Sequence, residues 1–232
     1  MKVVIMAAGK GTRMLPLTED IPKVLVEVNN KPFLYYLIKN LQKAGYNDFC
    51  IIAGYKKEKI IEFLDNYGFE ATIVEQKEQL GTGHAVLQAK EFVEQDDFLV
   101  LGGDNLWSVE DIKKINSNDE YNYVSGVRVE TPQNYGVLIE ENGKLKKIKE
   151  KPKEFFGNII NSGLYKFKPE IFSLLENLKP SPRGEIELTD AISTLAEQGK
   201  VKVIKIKDFW KDFGCLEDIP KMSEFLKDYW QE

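Results

Sequence analysis

Residues 3–13 read Val-Val-Ile-Met-Ala-Ala-Gly-Lys-Gly-Thr-Arg. The apolar, β-branched start of this segment is typical of a strand that is buried on both faces of a parallel sheet. The small residues that follow, including Gly9 and Gly11, let backbone N–H groups approach an anion closely. Lys10 and Arg13 add positive charge, and the arginine fork can contact two oxygens at once. The segment therefore predicts a strand followed by a turn that binds a polyphosphate.

Two common glycine motifs do not fit this turn. A Walker A loop has a longer spacing between its glycines than the single residue that separates Gly9 from Gly11. A dinucleotide-binding fingerprint needs a third glycine where this chain has Met14. Taken alone, the turn is equally compatible with a connection that binds no ligand, so other residues must decide the function.

Composition narrows the class of protein. The chain has 232 residues and a formal net charge of −5. That length suits one large α/β domain, and an acidic surface argues against nucleic acid or an anionic membrane as the main partner. The sequence has neither an apolar run long enough to span a membrane nor a signal-peptide cleavage site, so we expect a cytoplasmic protein. Cys50 and Cys215 lie far apart and indicate neither a disulfide framework nor a zinc site.

Strands and helices alternate in the N-terminal half of the chain. After the first strand, the sequence predicts helices at 31–45, 58–66 and 83–93 and strands at 49–53, 71–74 and 98–101. Such a series builds a parallel sheet covered by helices, and ligands bind beyond the carboxyl ends of its strands. Because Gly9, Gln76 and Asp104 each follow a different strand, we expect them to converge on one crevice.

The pattern changes after about residue 120. Short β segments are predicted over 121–167, with turns at Asn142-Gly143 and Lys151-Pro152, a strand at 201–206, and helices near Pro169, near Glu185 and over 216–230. We therefore expect an α/β fold, a three-layer α/β/α Rossmann-like sandwich with a mixed, mostly parallel sheet and a β-rich lobe. It would form a single domain over 1–232, with halves at about 1–115 and 116–232.

Two aspartates could complement a phosphate site. Asp104 follows an apolar strand, and Asp212 follows the strand predicted at 201–206. Carboxylates in such positions bind Mg²⁺ together with phosphate oxygens. Each aspartate alone is more typical of a loop or a cap, but together with the N-terminal turn they favour a metal site.

The loop after Arg13 carries a second cation. Pro16 and Pro22 restrict the backbone between Arg13 and Lys23. A stiff loop can hold two cations at a fixed separation along a triphosphate, where Lys23 would neutralise the reacting phosphate.

A series of short motifs falls in a fixed order along almost the whole chain. They are Gly9-Lys10-Gly11-Thr12-Arg13-Met14-Leu15-Pro16 with Pro22-Lys23, Gln76-Lys77-Glu78-Gln79-Leu80-Gly81-Thr82-Gly83-His84-Ala85, Gly102-Gly103-Asp104-Asn105, Tyr135-Gly136-Val137, Glu150-Lys151-Pro152, Asn161-Ser162-Gly163, Arg183-Gly184-Glu185 and Trp210-Lys211-Asp212-Phe213-Gly214. This series resembles the sugar-1-phosphate nucleotidylyltransferases. The spacing from Arg13 to Lys23 is similar to that of the glucose-1-phosphate uridylyl- and thymidylyltransferases. Residues 76–85 are most similar to the N-acetylglucosamine-1-phosphate uridylyltransferases, so the sugar stays open between the two.

The resemblance implies a role for each matching residue. The nucleotide would be bound in the first half by Ala8, Gly9, Lys10, Gly11, Thr12, Gln76, Gly81 and Thr82, and the sugar phosphate in the second half by Gly136, Glu150, Lys151, Asn161 and Arg183. Arg13, Lys23 and Asp104 would be catalytic, and Asp104 and Asp212 would hold Mg²⁺. The Gln76 amide can pair with the edge of uracil or thymine, which favours UTP or dTTP.

The implied reaction joins a nucleoside triphosphate and a sugar-1-phosphate to give an NDP-sugar and pyrophosphate. The sugar phosphate would attack the α-phosphorus in line. Because a phosphomonoester is largely a dianion at neutral pH, no general base is required. We therefore expect His84, the only histidine, to serve in packing or in a polar network and not in catalysis.

Two other functions stay open on the sequence. One is a cytidylyltransferase that acts on a non-sugar alcohol phosphate such as choline or inositol phosphate. The other is a noncatalytic regulatory subunit that binds a nucleotide sugar, although such a protein need not keep both cations and both aspartates. The hexapeptide repeats of bifunctional relatives have no counterpart in these residues, so we expect no C-terminal β-helix domain and no acetyl transfer. The oligomeric state is left open.

Overall fold

A mixed nine-stranded sheet lies at the centre of the computed structural model, which describes residues 1–230. The last two residues of the predicted domain lie outside the described residues. The strands, in chain order, are β1 (Lys2–Ala7), β2 (Glu27–Val28), β3 (Lys31–Pro32), β4 (Asp48–Ala53), β5 (Thr72–Glu75), β6 (Phe98–Gly102), β7 (Asn105–Trp107), β8 (Asn122–Arg128), β9 (Gly136–Glu141), β10 (Lys144–Glu150), β11 (Ile159–Phe167), β12 (Val201–Lys205) and β13 (Trp210–Asp212).

Most of the helices lie where the sequence predicts a helix, and the one over 109–114 is not predicted. They are α1 (Phe33–Lys43), α2 (Lys57–Tyr67), α3 (Thr82–Leu87), α4 (Lys90–Val93), α5 (Val109–Lys114), α6 (Glu170–Asn177), α7 (Leu188–Glu197) and α8 (Asp218–Tyr229), with 3₁₀ turns at Thr12–Met14, Lys23–Leu25 and Pro132–Asn134. Within residues 1–230, none of these helices has both the length and the apolar character that crossing a membrane requires.

The large sheet has the strand order β5-β4-β1-β6-β11-β8-β12-β10-β9. Strands β5, β4, β1 and β6 pair in parallel, as the alternation of strands and helices predicts. Beyond them, β11 and β10 run opposite to the other strands. The predicted mixed, mostly parallel sheet is therefore confirmed, and the β-rich segment after residue 120 continues that sheet.

Alternate residues of β1 belong to opposite hydrophobic cores. Val3 and Ile5 pack in one core with α1, whereas Val4 packs in the other with α7. All three side chains are fully buried. A strand that is apolar on both faces is the pattern expected of a central strand with helices on each side of its sheet. The predicted three-layer α/β/α sandwich is thus confirmed.

Two predicted helices differ from the structure. Lys31 and Pro32 do not open α1 but form β3, which pairs with β2 just before the helix begins at Phe33. The helix predicted over 83–93 is split into α3 and α4, because Gln88 and Ala89 donate to carbonyls only three residues back. Those tighter bonds replace the α-helical pattern over one turn.

A buried charge lies near the end of β11, the central strand of the sheet. The side chain of Lys166 is 1% exposed, and its Nζ lies 3.0 Å from Asp97 Oδ2 and 2.6 Å from the carbonyl oxygen of Ser117. Asp97 also pairs with Lys168, at 3.2 Å. A buried ion pair is most costly when only one partner is removed and the other charge stays buried.

We therefore expect Asp97→Asn to lower the free energy of unfolding more than Lys166→Met does. The first change leaves a buried ammonium without its counter-charge and should cost ~3 kcal/mol. The second removes the buried charge, keeps the apolar stem, and leaves Asp97 paired with Lys168, so it should cost ~1 kcal/mol. Urea denaturation of the two variants side by side measures the difference. An equal or larger loss for Lys166→Met would contradict this account of the pair.

Candidate active site

The turn after β1 folds back onto the loop that carries Lys23. Gly11 has a φ of 65°, in the left-handed region that favours glycine, and its carbonyl accepts a hydrogen bond of 2.9 Å from Thr18 Oγ1. A β-carbon at position 11 would lie 2.7 Å from Lys23 Cβ. The glycine therefore lets the two loop segments pack closely and brings Lys23 to the end of β1.

A cavity of about 220 Å³ opens at this point. Its lining includes Gly9, Gly11, Thr12, Arg13, Lys23, Asp104 and Gly214. Lys23 Nζ donates to Asp104 Oδ2, and Asn105 Nδ2 donates to Asp104 Oδ1 at 2.8 Å. Both predicted cations and one predicted metal ligand thus line one cavity. Lys10 is exposed and lines neither this cavity nor the next one described.

The second aspartate reaches the site through a short antiparallel ribbon. β13 pairs with β7, which places Asp212 opposite Asn105, and the Phe213 N–H donates to the Asp104 carbonyl at 2.9 Å. Asp212 Oδ2 and Arg13 Nη2 each lie 3.4 Å from the point that a Gly214 β-carbon would occupy. The ribbon therefore brings Asp212 up to Arg13 and Asp104.

The environment of Asp212 disfavours its negative charge. Burial, and after it the charge of Asp104, raises the pKa of Asp212 from 3.8 to about 6, although Lys23 and Arg13 act in the opposite direction. Two half-buried carboxylates side by side repel each other unless a cation lies between them.

A second cavity, of about 310 Å³, continues from the first. It is lined by the predicted nucleotide-binding residues Ala8, Gly9, Gln76, Gly81 and Thr82, by Asp104, and by Gln79 and Glu185, which the sequence did not single out as ligands. Gln79 Nε2 donates to the Ala8 carbonyl at 2.8 Å. The expectation that Gly9, Gln76 and Asp104 converge on one crevice is confirmed.

The wall of this second cavity is built from two distant segments. The N–H of Gly83 donates to the Ile186 carbonyl at 2.8 Å, and the N–H of Ile186 donates to the Leu80 carbonyl at 2.7 Å. Between them, Gly81 has a φ of 104° and a ψ of 177°. A β-carbon there would lie 2.6 Å from the Ile186 carbonyl oxygen. Both the backbone conformation and the contact therefore require glycine.

We expect Gly81→Ala to reduce affinity for a nucleotide by at least tenfold and to lower stability by ~2 kcal/mol, because the backbone at 81 and 186 must separate. Titration calorimetry with UTP and thermal unfolding measure the two effects. Gly199→Ala is the matched control, since Gly199 also has a positive φ, of 73°, but has open space around its α-carbon. Its stability should fall slightly and its affinity should not change. Wild-type affinity in Gly81→Ala would refute this reading of the wall.

Three of the predicted sugar-phosphate residues lie in β9 and β10 or directly after them. Gly136 and Glu150 are register partners, and a β-carbon at Gly136 would lie 2.9 Å from Glu150 Oε1. Although the Glu150 side chain is exposed, desolvation by the surrounding protein raises its pKa; the charge of Arg183 opposes this shift. Lys151 follows directly, and its N–H donates to the Tyr135 carbonyl at 3.0 Å.

Asn161 and Arg183 are both engaged by protein groups. Asn161 Nδ2 donates to the Tyr165 hydroxyl at 2.7 Å, and Asn161 Oδ1 accepts from the Gly163 N–H at 3.0 Å. Burial raises the pKa of Tyr165. Arg183 is exposed and pairs with Glu187 at 2.7 Å. A phosphate that binds Arg183 would therefore have to compete with Glu187 for its guanidinium group.

A glycine turn at the carboxyl edge of parallel strands, with cations beside two neighbouring carboxylates, is an arrangement of an α/β fold that suits phosphate binding. The chain belongs to the nucleotidyl transferase family, whose model matches residues 2–229.

Named relatives are similar over nearly the whole of this chain. The bifunctional protein GlmU of Methanococcus maripaludis is 43% identical over 223 residues, which cover 94% of this chain and 53% of that protein. The chain thus spans about half the length of the curated relatives it matches.

Solved structures share the fold along both chains. A proposed glucose-1-phosphate thymidylyltransferase from Bacillus anthracis, in complex with sucrose, has a TM-score of 0.88 at 28% identity, covering 98% of this chain and 96% of that chain. A UDP-glucose pyrophosphorylase complexed with UDP-glucose has a TM-score of 0.87 at 26% identity, covering 98% of each chain.

Proposed function

We propose that this chain joins a nucleoside triphosphate to a sugar-1-phosphate and releases pyrophosphate. The observation that carries the proposal is the convergence of Arg13, Lys23, Asp104 and Asp212 at one end of a continuous cleft. Gln76 and Gly81 line the adjoining cavity, which has room for a base and its ribose. Family membership and the named relatives support the same activity.

The reaction requires alignment and charge neutralisation more than proton transfer. An oxygen of the sugar phosphate bonds to the α-phosphorus of the triphosphate, and the bond from that phosphorus to the β-phosphate oxygen breaks, so pyrophosphate leaves with the electron pair. The triphosphate and the sugar phosphate are both anions and repel each other. Cations close to both reduce this repulsion and hold the two substrates in line. In this proposal Lys23 contacts the α-phosphate, and Arg13 with Lys10 holds the departing pyrophosphate.

The remaining residues divide between the two substrates. The nucleotide is assigned to Ala8, Gly9, Gly11, Thr12, Gln76, Gly81 and Thr82. The sugar phosphate is assigned to Gly136, Glu150, Lys151, Asn161 and Arg183. The placement of Glu150 opposite Gly136, with the charge of Arg183 acting on it, supports treating the second set as one subsite.

The donor set of the two aspartates fits Mg²⁺. Asp104 and Asp212 offer carboxylate oxygens close together, and their mutual repulsion is relieved by a divalent cation. Within residues 1–230, no group of three or more His, Cys, Asp or Glu side chains is arranged to hold a metal. Proteins usually bind Mg²⁺ through one or two carboxylates, and substrate phosphates supply further oxygen ligands. When bound, the ion would neutralise charge on the phosphate oxygens.

UTP or dTTP with glucose-1-phosphate or N-acetylglucosamine-1-phosphate are the substrates we favour. Structural neighbours are a proposed glucose-1-phosphate thymidylyltransferase and a UDP-glucose pyrophosphorylase, and the second of them contains UDP-glucose. The Gln76 amide lines the second cavity, and its oxygen can accept from a base with a ring N–H.

Pyrophosphate release tests the proposal. The protein with Mg²⁺ is combined with UTP, dTTP, CTP, GTP or ATP and with glucose-, N-acetylglucosamine-, galactose- or mannose-1-phosphate, phosphocholine or inositol phosphate. We expect release that needs both a uracil or thymine nucleotide and a sugar phosphate. Release only with phosphocholine or inositol phosphate, or no release from folded protein that binds UDP-sugars, would overturn the proposal.

A further inference from the structure

The only histidine of the chain, His84, contacts a residue that lines the second cavity but does not line that cavity itself. His84 lies in α3, and its Nδ1 is 3.0 Å from Gln76 Nε2. On the opposite edge of the ring, Gln88 Nε2 lies 3.2 Å from His84 Nε2 and donates to the His84 carbonyl. The imidazole is therefore held between two glutamine side chains, and one of them lines the second cavity.

The Gly81 carbonyl fixes which way the Gln76 amide faces. Gln76 Nε2 lies 3.1 Å from that carbonyl oxygen. A carbonyl can only accept, so the amide atom next to it must be the nitrogen. The second hydrogen of the same nitrogen is then available for His84 Nδ1. That bond requires Nδ1 to carry a lone pair, which places the ring proton on Nε2.

The two bonds leave the Gln76 oxygen for a ligand. Gln76 is 5% exposed, and within residues 1–230 no donor bonds its Oε1. The protein does not fully enclose this oxygen, and Gln76 lines the second cavity, so Oε1 is accessible from that cavity. An amide held in this orientation presents an acceptor to the base.

We propose that His84 is a positioning residue that fixes the Gln76 side chain with its oxygen toward the nucleobase, and so selects bases with a ring N–H, such as uracil and thymine, over cytosine. The inference rests on the proposed function. Cytosine has a lone pair at the ring nitrogen where uracil and thymine have N–H, so two acceptors would face each other. Turning the amide to suit cytosine would break both of its hydrogen bonds.

Removing the imidazole should weaken this selection. In His84→Leu only the Gly81 carbonyl still holds the amide, and one buried N–H loses its acceptor. We expect the KM for UTP to rise about tenfold, the preference for UTP over CTP in kcat/KM to fall by about tenfold or more, and kcat at saturation to stay within about threefold. The KM for the sugar phosphate should not change.

His84→Asn is the matched rescue. The Asn Oδ1 can take the place of the imidazole Nδ1 as an acceptor, so this variant should keep the base preference to within about threefold of the wild type. A merely structural role for His84 would affect the two variants alike. Equal base selectivity in His84→Leu and the wild type, or equal loss in both variants, would overturn the proposal.

The tautomer can be observed without any turnover. Because the chain has one histidine, its ring nitrogens give a single set of signals in a ¹H–¹⁵N spectrum of protein freed of any affinity tag. We expect the proton on Nε2 and a bare Nδ1, with Gln88 presenting its amide oxygen to that proton and giving up its 3.2 Å bond to the His84 carbonyl. A protonated Nδ1 would overturn the proposal. If no substrate pair is turned over but Nε2–H is found, the proposed function fails and the hydrogen bond to Gln76 stands.

Discussion

Asp212→Asn should reduce Mg²⁺-dependent turnover by about a hundredfold or more and, in the absence of metal, make the protein more stable at pH 8. The loss of activity follows from removing one of two carboxylates proposed to hold the ion, since lost electrostatic stabilisation of a transition state costs this much. Asp104→Asn should lose at least as much activity, because it also weakens the hydrogen bond from Lys23.

The gain in stability follows from the raised pKa of Asp212. The folded-state pKa of about 6 exceeds the ordinary value of 3.8, so between these values the folded protein binds more protons than the unfolded chain. Stability attributable to this group therefore falls as pH rises from about 4 to about 6, and the cost persists above pH 6. Removing the charge should gain ~2–3 kcal/mol at pH 8 and nothing below pH 4.

Chemical denaturation at pH 4 and pH 8, with and without Mg²⁺, measures the stability of each variant, and initial rates measure turnover. Asp208→Asn is the matched control, because Asp208 is an exposed carboxylate on the same segment. It should change neither quantity. Near-normal Mg²⁺-dependent turnover in both Asp104→Asn and Asp212→Asn would overturn the metal assignment.

Lys23→Met should lower kcat by about a hundred- to a thousandfold, the cost of removing one charge that stabilises the reacting phosphate. Methionine keeps much of the apolar stem, so the packing of Lys23 against Gly11 should survive. The change also leaves Asp104 and Asp212 without their nearest ammonium, so the metal-free protein should become less stable at pH 8.

The kinetic pattern decides the role of Lys23. A loss confined to KM would mean that Lys23 binds the ground state and the transition state equally well, which contradicts the role proposed for it. Lys59→Met is the control, since Lys59 pairs with Glu62 on the surface of α2. It removes a lysine charge far from the cleft and should leave kcat and KM unchanged.

The sequence predicted those parts of the site that depend on local pattern. The apolar run of β1 and the glycines after it define a buried strand and a tight turn, and the structure has both. Gln76 and Asp104 each follow a predicted strand. Their convergence at one edge of the sheet follows from the rule that ligands bind beyond the carboxyl ends of parallel strands.

Contacts between distant short segments were not predictable in the same way. β7 and β13 have three residues each, too few to show a period of two, yet their pairing determines where Asp212 lies. Glu185 enters the second cavity because Gly81 and Gly83 pack against Ile186. The sequence predicts that His84 serves in packing or in a polar network, and in the structure it forms such a network with Gln76.

The most direct test of nucleotidyl transfer is a ³¹P NMR spectrum of the wild-type protein with Mg²⁺, UTP and glucose-1-phosphate or N-acetylglucosamine-1-phosphate. We predict that pyrophosphate and the two coupled diphosphate signals of a UDP-sugar grow in equal amounts, and only when both substrates are present. Growth of orthophosphate, or of UDP together with a sugar-1-diphosphate, would show attack at a different phosphorus and would contradict the account.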